Sequence, residues 1–343
     1  MQQLPKLQRG DKVAVLSPSF AAPAKWPEVH ELGLSRMREV FGLEPVEYPS
    51  TRTLGATGEE RARDLIAAFE DLSIKAVFAT LGGNDQVTYI KNLPSEPFAN
   101  NPKPFFGFSD NTHFANFLWL NGVPSYYGGS VLGQFAMQGQ MDEMTVEYLN
   151  HALFDTGSFE LKSSQQYNDI GHDWGDSATR FNPRVYEPND GWHWNGTQSA
   201  GGTTWGGCVE SVDELLRHDI VIPSLEQFEK VVLIMETSEE VPSHDYVFRV
   251  FRALGERGIL KRVRGVLVGR AKAWDFSKQL TAVEKAAYRA QQYETIVDAV
   301  RHYNSDAPIV QNLDFGHTDP QIALPYGLPV RIDGARRSIA ATF

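Results

Sequence analysis

Apolar and polar positions along the first 160 residues form short β-branched runs separated by longer amphipathic stretches. Val13-Ala-Val-Leu16 runs into the turn formers Ser17-Pro-Ser19 and predicts a strand feeding a loop. Thr57 and Glu60 have the spacing of a capping box, in which each side chain satisfies an orphan donor of a helix's first turn. Leu65, Ile66 and Phe69 supply the apolar stripe of the helix that follows. Ala76-Val-Phe-Ala-Thr80 ends at Gly82-Gly83-Asn84, and Phe105-Phe-Gly-Phe108 ends at Ser109. Strands that alternate with helices in this way predict an α/β fold with an open, mainly parallel sheet.

The texture changes between Ser163 and Ala200, where aliphatic residues nearly vanish and Tyr167, Trp174, Phe181, Tyr186, Trp192 and Trp194 stand among Asn, Asp, Gly and Pro. A structureless loop of this length is uncommon unless it is a lid, a binding loop or a disordered tether, and tethers are poor in aromatics. Two readings stay open: an interdomain segment that contributes to a binding surface, or rings that plug the seam between two domains. Beyond it the pattern predicts a helix over 206–218, a buried strand over 230–235 and an amphipathic helix over 246–254. A strand over 265–269, a long helix over 282–303 and a closing hairpin around Asp333-Gly334 complete the chain. The resulting division is an N-terminal α/β domain over 1–165, an aromatic interdomain loop over 166–200 and a C-terminal α/β domain over 201–343.

The 343 residues agree with two domains at about 150 residues each. The 32 Lys and Arg against 43 Asp and Glu give a net charge of −11, and no basic cluster opposes it, so a nucleic acid polymer is not an expected partner. The longest apolar runs fall far short of the ~20 residues of a membrane span, and no membrane partner is expected. Cys208 has no second cysteine to pair with and the first nine residues lack the apolar core of a signal peptide, so a cytoplasmic location is expected.

Chemistry concentrates at strand ends. Phe105-Phe-Gly-Phe-Ser109-Asp110-Asn111 predicts a strand turning sharply into a helix with a serine at the turn, the geometry of a nucleophile elbow, although Asn111 stands where G-x-S-x-G has its second glycine. The competing reading is that Ser109 or Asp110 caps the helix. Gly82-Gly83 lets backbone amides approach a reacting carbonyl, as an oxyanion hole requires, and neighbouring parallel strands would share the crevice. A serine needs a base and a group to orient that base. Of nine histidines, His317 lies in the Gly- and Pro-flanked loop Leu313-Asp-Phe-Gly-His317-Thr-Asp-Pro320, and Glu236 ends the apolar strand Val231–Met235. Glu236 is a candidate for catalysis, for an ion pair or for a helix cap. Other chemistries lack their residues. Gly128-x-x-x-x-Gly133 is followed by Gln134-Phe135 where a phosphate loop needs Lys-Ser/Thr, and G-x-G-x-x-G, C-x-x-C and H-E-x-x-H are missing. His172, Asp173 and His193 fit a solvated loop better than a metal site, and Cys208 fits a buried structural thiol better than a nucleophile. No metal or cofactor is expected.

Gly10-Asp-Lys-Val-Ala-Val-Leu-Ser-Pro18, Gly82-Gly83, Gly107-Phe-Ser109-Asp110, Gly206-Gly207, Glu236 and Leu313-Asp-Phe-Gly-His317, taken in this order, resemble the LD-carboxypeptidase family of serine peptidases over nearly the whole chain. The resemblance implies a Rossmann-like N-terminal domain, a smaller C-terminal α/β domain with the site between them, and a homodimer. It also implies Ser109 as nucleophile, His317 as general base, Glu236 as orienting acid, and an oxyanion hole from the amides of Gly83 and Asp110. Asn84 after the paired glycines, Glu187–Trp192 and Met235–Glu239 are similar to the microcin C immunity-type members, which implies an aminoacyl- or peptidyl-nucleotide substrate bound through Asn84 and stacked on Trp192 or Trp194. Cys208 departs from the Asn common after the second glycine pair. Three functional readings follow: cleavage of an amide-type bond in a nucleotide-linked substrate, removal of a terminal D-amino acid from a muropeptide, and non-catalytic binding of a small molecule.

Overall fold

Five strands of the N-terminal half, β1 (Lys12–Leu16), β2 (Glu44–Glu47), β3 (Ile74–Ala79), β4 (Phe105–Gly107) and β5 (Ser125–Tyr127), lie parallel in the order β2-β1-β3-β4-β5. They belong to a computed structural model that describes residues 1–2 and 4–343. β1, β3 and β4 are buried almost throughout, as strands covered on both faces by helices must be. The helix Gly58–Glu70 starts at the capping box, the Glu60 amide donating to Thr57 Oγ1 at 3.2 Å and the Thr57 amide to Glu60 Oε2 at 2.7 Å.

Along the chain there follow β6 (Ser158–Glu160), the short pair β7 (Gln166–Tyr167) and β8 (Glu187–Pro188), β9 (His193–Asn195), β10 (Ser199–Cys208), β11 (Val231–Glu236) and β12 (Gly265–Gly269). A small hairpin, β13 (Trp274–Asp275) and β14 (Lys278–Gln279), precedes β15 (Ile309–Leu313), β16 (Leu324–Tyr326), β17 (Pro329–Asp333) and β18 (Ser338–Thr342). Eight of these strands form a second, mixed sheet in the order β6-β18-β17-β10-β11-β12-β15-β9, with parallel β10, β11, β12 and β15 at its centre and antiparallel strands on both flanks. The two domains interlock. β16 leaves the C-terminal half to pair antiparallel with β5 in the first sheet, and β6 leaves the N-terminal half to pair with β18 in the second.

The helix expected over 206–218 begins only at Val209, because Gly206, Gly207 and Cys208 complete β10 in register with Ile234, Met235 and Glu236. Gly207, at φ +121°, has the side chain of Thr112 where a Cβ would stand, with Oγ1 only 2.5 Å away. The strand can therefore run against the first turn of the helix Thr112–Leu120 from the other domain, and the Cys208 amide donates to Thr112 Oγ1 at 3.1 Å.

Buried ion pairs help to order the aromatic segment. Asp169 accepts Lys285 Nζ at 2.6 Å and Arg289 Nη2 at 2.5 Å, both from the helix Ala282–Tyr303, and Glu187 accepts Lys285 at 2.8 Å. The Asp169 side chain is 0% exposed, so both cations depend on it for compensation. Asp169→Ala is expected to lower the unfolding free energy in urea by about 3–5 kcal/mol, the cost of stranding a buried charge. A change under about 1 kcal/mol would mean that Glu187 alone satisfies the helix.

Candidate active site

β4 stops at Gly107, Phe108 stays extended, and Ser109 takes φ +63° before a single 3₁₀ turn leads into the helix Thr112–Leu120. A non-glycine residue in the left-handed region costs about 1–2 kcal/mol and persists where its surroundings over-determine it. Here the Ser109 amide donates to Tyr127 Oη at 3.3 Å, and Ser211 Oγ donates to the Ser109 carbonyl at 3.3 Å. Asn111 Nδ2 ties the turn to the carbonyls of Leu81 and Phe108 at 3.1 and 3.0 Å.

Neither Ser109 nor Asp110 caps the helix. The Asp110 carboxylate instead accepts the amides of Asp85 and Gln86 at 3.1 Å each, which binds the Gly82-Gly83 loop to the Ser109 turn. Behind it stand His113, whose Nδ1 is 3.0 Å from Asp110 Oδ1, and Glu214, 3.2 Å from His113 Nε2. Burial pushes His113 down, but Asp110 and Glu214 outweigh it and raise its pKa to about 9. A Cβ on Gly82 would lie 2.8 Å from Ser109 Cβ and 3.0 Å from its Oγ, so only glycine lets the two turns meet.

The C-terminal domain supplies the other half. Glu236 is the last residue of β11 and is buried. Its Oε2 lies 2.6 Å from His317 Nδ1, and its Oε1 accepts Tyr127 Oη at 2.6 Å. Burial, reinforced by Glu236, raises the Tyr127 phenol far above its ordinary range, so it remains a donor. Gly316 sits at φ +98°, and a Cβ there would fall 2.4 Å from Glu236 Oε2. The chain after β15 can thus bring His317 onto the carboxylate only through glycine. The Phe108 ring meets the imidazole edge-on at 5.0 Å. On its other side, Nε2 of His317 is 3.1 Å from Glu239 Oε2. Burial would lower the imidazole pKa, but Glu236 first and Glu239 next reverse this and lift it to about 10.

Ser109 and His317 both face a cleft of about 570 Å³ between the domains. Gly82 and Gly83 form one wall, and Trp26, Trp174 and Trp274 form the others, with Trp26 and Trp174 edge to face at 4.9 Å and Trp274 and Phe276 likewise at 4.9 Å. Three expected ligand residues stand elsewhere. Asn84 is exposed and off the cleft wall. Trp194 stands outside it in β9, opposite Val310 of β15, Trp192 lies beside Trp194 at 6.2 Å, and both rings pack against the hydrophobic core. The aromatic segment is divided: residues 170–174 line the cleft, while 192–194 cover the edge of the second sheet beside β15 and not the seam between the domains. Cys208 is buried, its thiol donates to Glu210 Oε2 at 3.1 Å, and burial pushes its pKa well up, which removes it as a nucleophile. Sequence reasoning missed Tyr127, Trp26, Trp274 and Glu239.

A serine strained at the end of a parallel strand and a histidine held by a buried carboxylate, both lining one interdomain cleft, have the arrangement found in serine hydrolases. The chain belongs to the LD-carboxypeptidase family of serine peptidases: the family's N-terminal domain matches residues 13–128 and its C-terminal domain residues 201–332. YocD of Bacillus subtilis, which carries the name of a carboxypeptidase, is 26% identical over 96% of this chain and 95% of its own. The microcin C7 self-immunity protein MccF of Escherichia coli is 21% identical over 83% of this chain and 79% of its own. Among solved structures, an MccF-like protein of Streptococcus pneumoniae in complex with AMP is 26% identical, with 97% of this chain and 98% of that one covered at a TM-score of 0.85. MccF in complex with glutamyl sulfamoyl guanosine superimposes with the same TM-score at 20% identity, over 99% of this chain and 98% of that one.

Tyr127 joins the two halves of the site through one oxygen. Tyr127→Phe is expected to lower kcat roughly ten- to hundredfold, since a hydrogen bond to a charged group contributes about 1.5–3 kcal/mol, with a smaller change in KM. Steady-state kinetics check this, and an unaltered kcat would remove Tyr127 from the support of the Glu236–His317 pair.

Proposed function

We propose that this protein hydrolyses the amide-type bond that links an aminoacyl or peptidyl group to a nucleotide, by metal-free acyl transfer. Ser109 is the nucleophile, His317 the base and Glu236 the group that fixes the tautomer and compensates the imidazolium. His317 Nε2 takes the hydroxyl proton as Ser109 Oγ bonds to the carbonyl carbon. The amides of Gly83 and Asp110 donate to the oxyanion, and the proton passes to the leaving nitrogen as the acyl bond breaks. Water, deprotonated by the same imidazole, then releases the acid and restores Ser109.

The observation that carries this reading is the pairing of the left-handed Ser109 turn with the Glu236–His317 contact on a cleft walled by three tryptophans. A nucleobase is a flat π surface, and indoles of this kind offer it stacking with little loss of conformational freedom. The nucleotide ligands named for MccF and its relative from S. pneumoniae support the same assignment. Trp174 takes the stacking role expected of Trp192 or Trp194.

Cleavage of an aminoacyl sulfamoyl nucleoside and of an L,D-linked muropeptide tetrapeptide, followed in parallel by mass, tests the proposal. Wild-type protein is expected to cleave the nucleoside and Ser109→Ala to lose that activity. Cleavage of the tetrapeptide alone would instead favour the wall-recycling reaction. Trp174→Ala is expected to raise KM for the nucleoside roughly ten- to hundredfold, from about 1–3 kcal/mol of stacking, and to leave any tetrapeptide cleavage within about threefold. Equal losses on both substrates would count against base stacking.

A further inference from the structure

His317 Nε2, the nitrogen that has to accept the Ser109 proton, is occupied by a second carboxylate. Glu239 Oε2 stands 3.1 Å away, and its side chain is 58% exposed to the cleft where Glu236 is fully enclosed. The backbone beneath it is pinned, because Ser238 Oγ donates to Glu210 Oε1 at 2.6 Å and the Glu240 amide to Ser238 Oγ at 3.2 Å. Glu239 can therefore leave the imidazole by rotating its own side chain, without moving the loop. While it stays, the imidazole carries a proton on each nitrogen and cannot act as a base.

Resting on the hydrolase reading above, we propose that Glu239 is a specificity-determining latch, released by a free α-ammonium on the acyl group of the substrate. In an aminoacyl compound the ammonium nitrogen lies about 2.5 Å from the carbonyl carbon by covalent geometry. With that carbon about 3–3.5 Å from Ser109 Oγ, the ammonium enters the same cleft that Ser109, His317 and Glu239 line, within reach of the Glu239 carboxylate. The carboxylate exchanges one cation for another, and His317, left with Glu236 alone and with the ammonium in the same cleft, gives its Nε2 proton to solvent water in the open cleft and becomes a base. An N-acylated substrate brings no such cation. Lys272, also on the cleft, does not provide it, since Glu239 pairs with His317 although Lys272 is near enough to lower its pKa. The other groups facing this pair are Glu236, with Tyr127 on its far oxygen, from β11 and β5, and Asp275 from the hairpin β13–β14. The inference selects the aminoacyl over the peptidyl substrate.

The test compares one aminoacyl sulfamoyl nucleoside with its Nα-acetyl form on wild type and Glu239→Gln, together with an NMR titration of the His317 imidazole in both proteins. Wild type is expected to favour the free amine at least about tenfold in kcat/KM, the factor set by one unit of imidazole pKa. Glu239→Gln is expected to bring the ratio near one, to shift the acid limb of the acetylated substrate down by about one unit or more, and to lower the titration midpoint of His317 alike. The acetylated compound has no amine to titrate, so its profile reports the enzyme. Equal rates for both compounds on wild type, or a ratio and an acid limb unchanged in Glu239→Gln, would overturn the latch. Failure to cleave either compound would count against the hydrolase reading instead. The NMR comparison would still decide, because an unmoved His317 midpoint in Glu239→Gln overturns the contact on which the latch depends.

Discussion

The carboxylate of Glu236 is the constraint on which the rest of the molecule is arranged. It is buried at the end of β11 and accepts a phenol from the N-terminal domain on one oxygen and an imidazole from its own domain on the other. An ion taken out of water is tolerated only when its lone pairs are matched, so each partner has to be delivered without error. Tyr127 ends β5 and His317 follows β15, so the demand falls on the ends of three strands in two sheets. The phenol that satisfies Glu236 also receives the Ser109 amide. Meeting the carboxylate and holding Ser109 in its strained conformation are thus one act.

Such a junction needs the domains to keep their relative position, and their interlocking supplies this. β16 extends the N-terminal sheet from the far end of the chain, and Tyr326 at its end donates to Asn116 at 2.5 Å and accepts the Gly206 amide at 3.0 Å. Gly207 lets β10 touch the helix that begins behind Ser109. Separation of the domains would strip a sheet of an edge strand and leave buried polar groups unpaired, a cost a plain hinge does not carry.

The principle that functional side chains sit where parallel strands end made much of this legible. Ser109, Glu236 and His317 follow apolar runs in the sequence, and the Gly82-Gly83 and Gly316 positions carried their own signal. Residues that depend on packing between distant segments carried none. Trp192 and Trp194 stand in an aromatic loop that suggested ligand contact, yet strand pairing with β15 turns them to a flank, a register no local pattern encodes. Trp26 lies between two helices and Trp274 begins β13, and both reach the cleft that Trp174 lines only in the folded protein. Tyr127 reads as one more aromatic in a buried strand. The start of the helix at 209 was displaced because paired glycines resemble a turn, whereas here they complete a strand pressed against its neighbours.

The same physics makes a competent base and a quiet one from identical parts. A carboxylate behind Nδ1 raises the basicity of the imidazole, which is what proton transfer from a serine requires. A second carboxylate in front raises it further and consumes the lone pair that the reaction needs. Glu236 is enclosed and fixed by Tyr127, whereas Glu239 is more than half exposed and meets the imidazole from the open side. The difference between the two is therefore mobility and not charge. Under the proposed latch, such a site would keep Ser109 unactivated in water and leave the chemistry of the bound molecule to decide which carboxylate His317 serves.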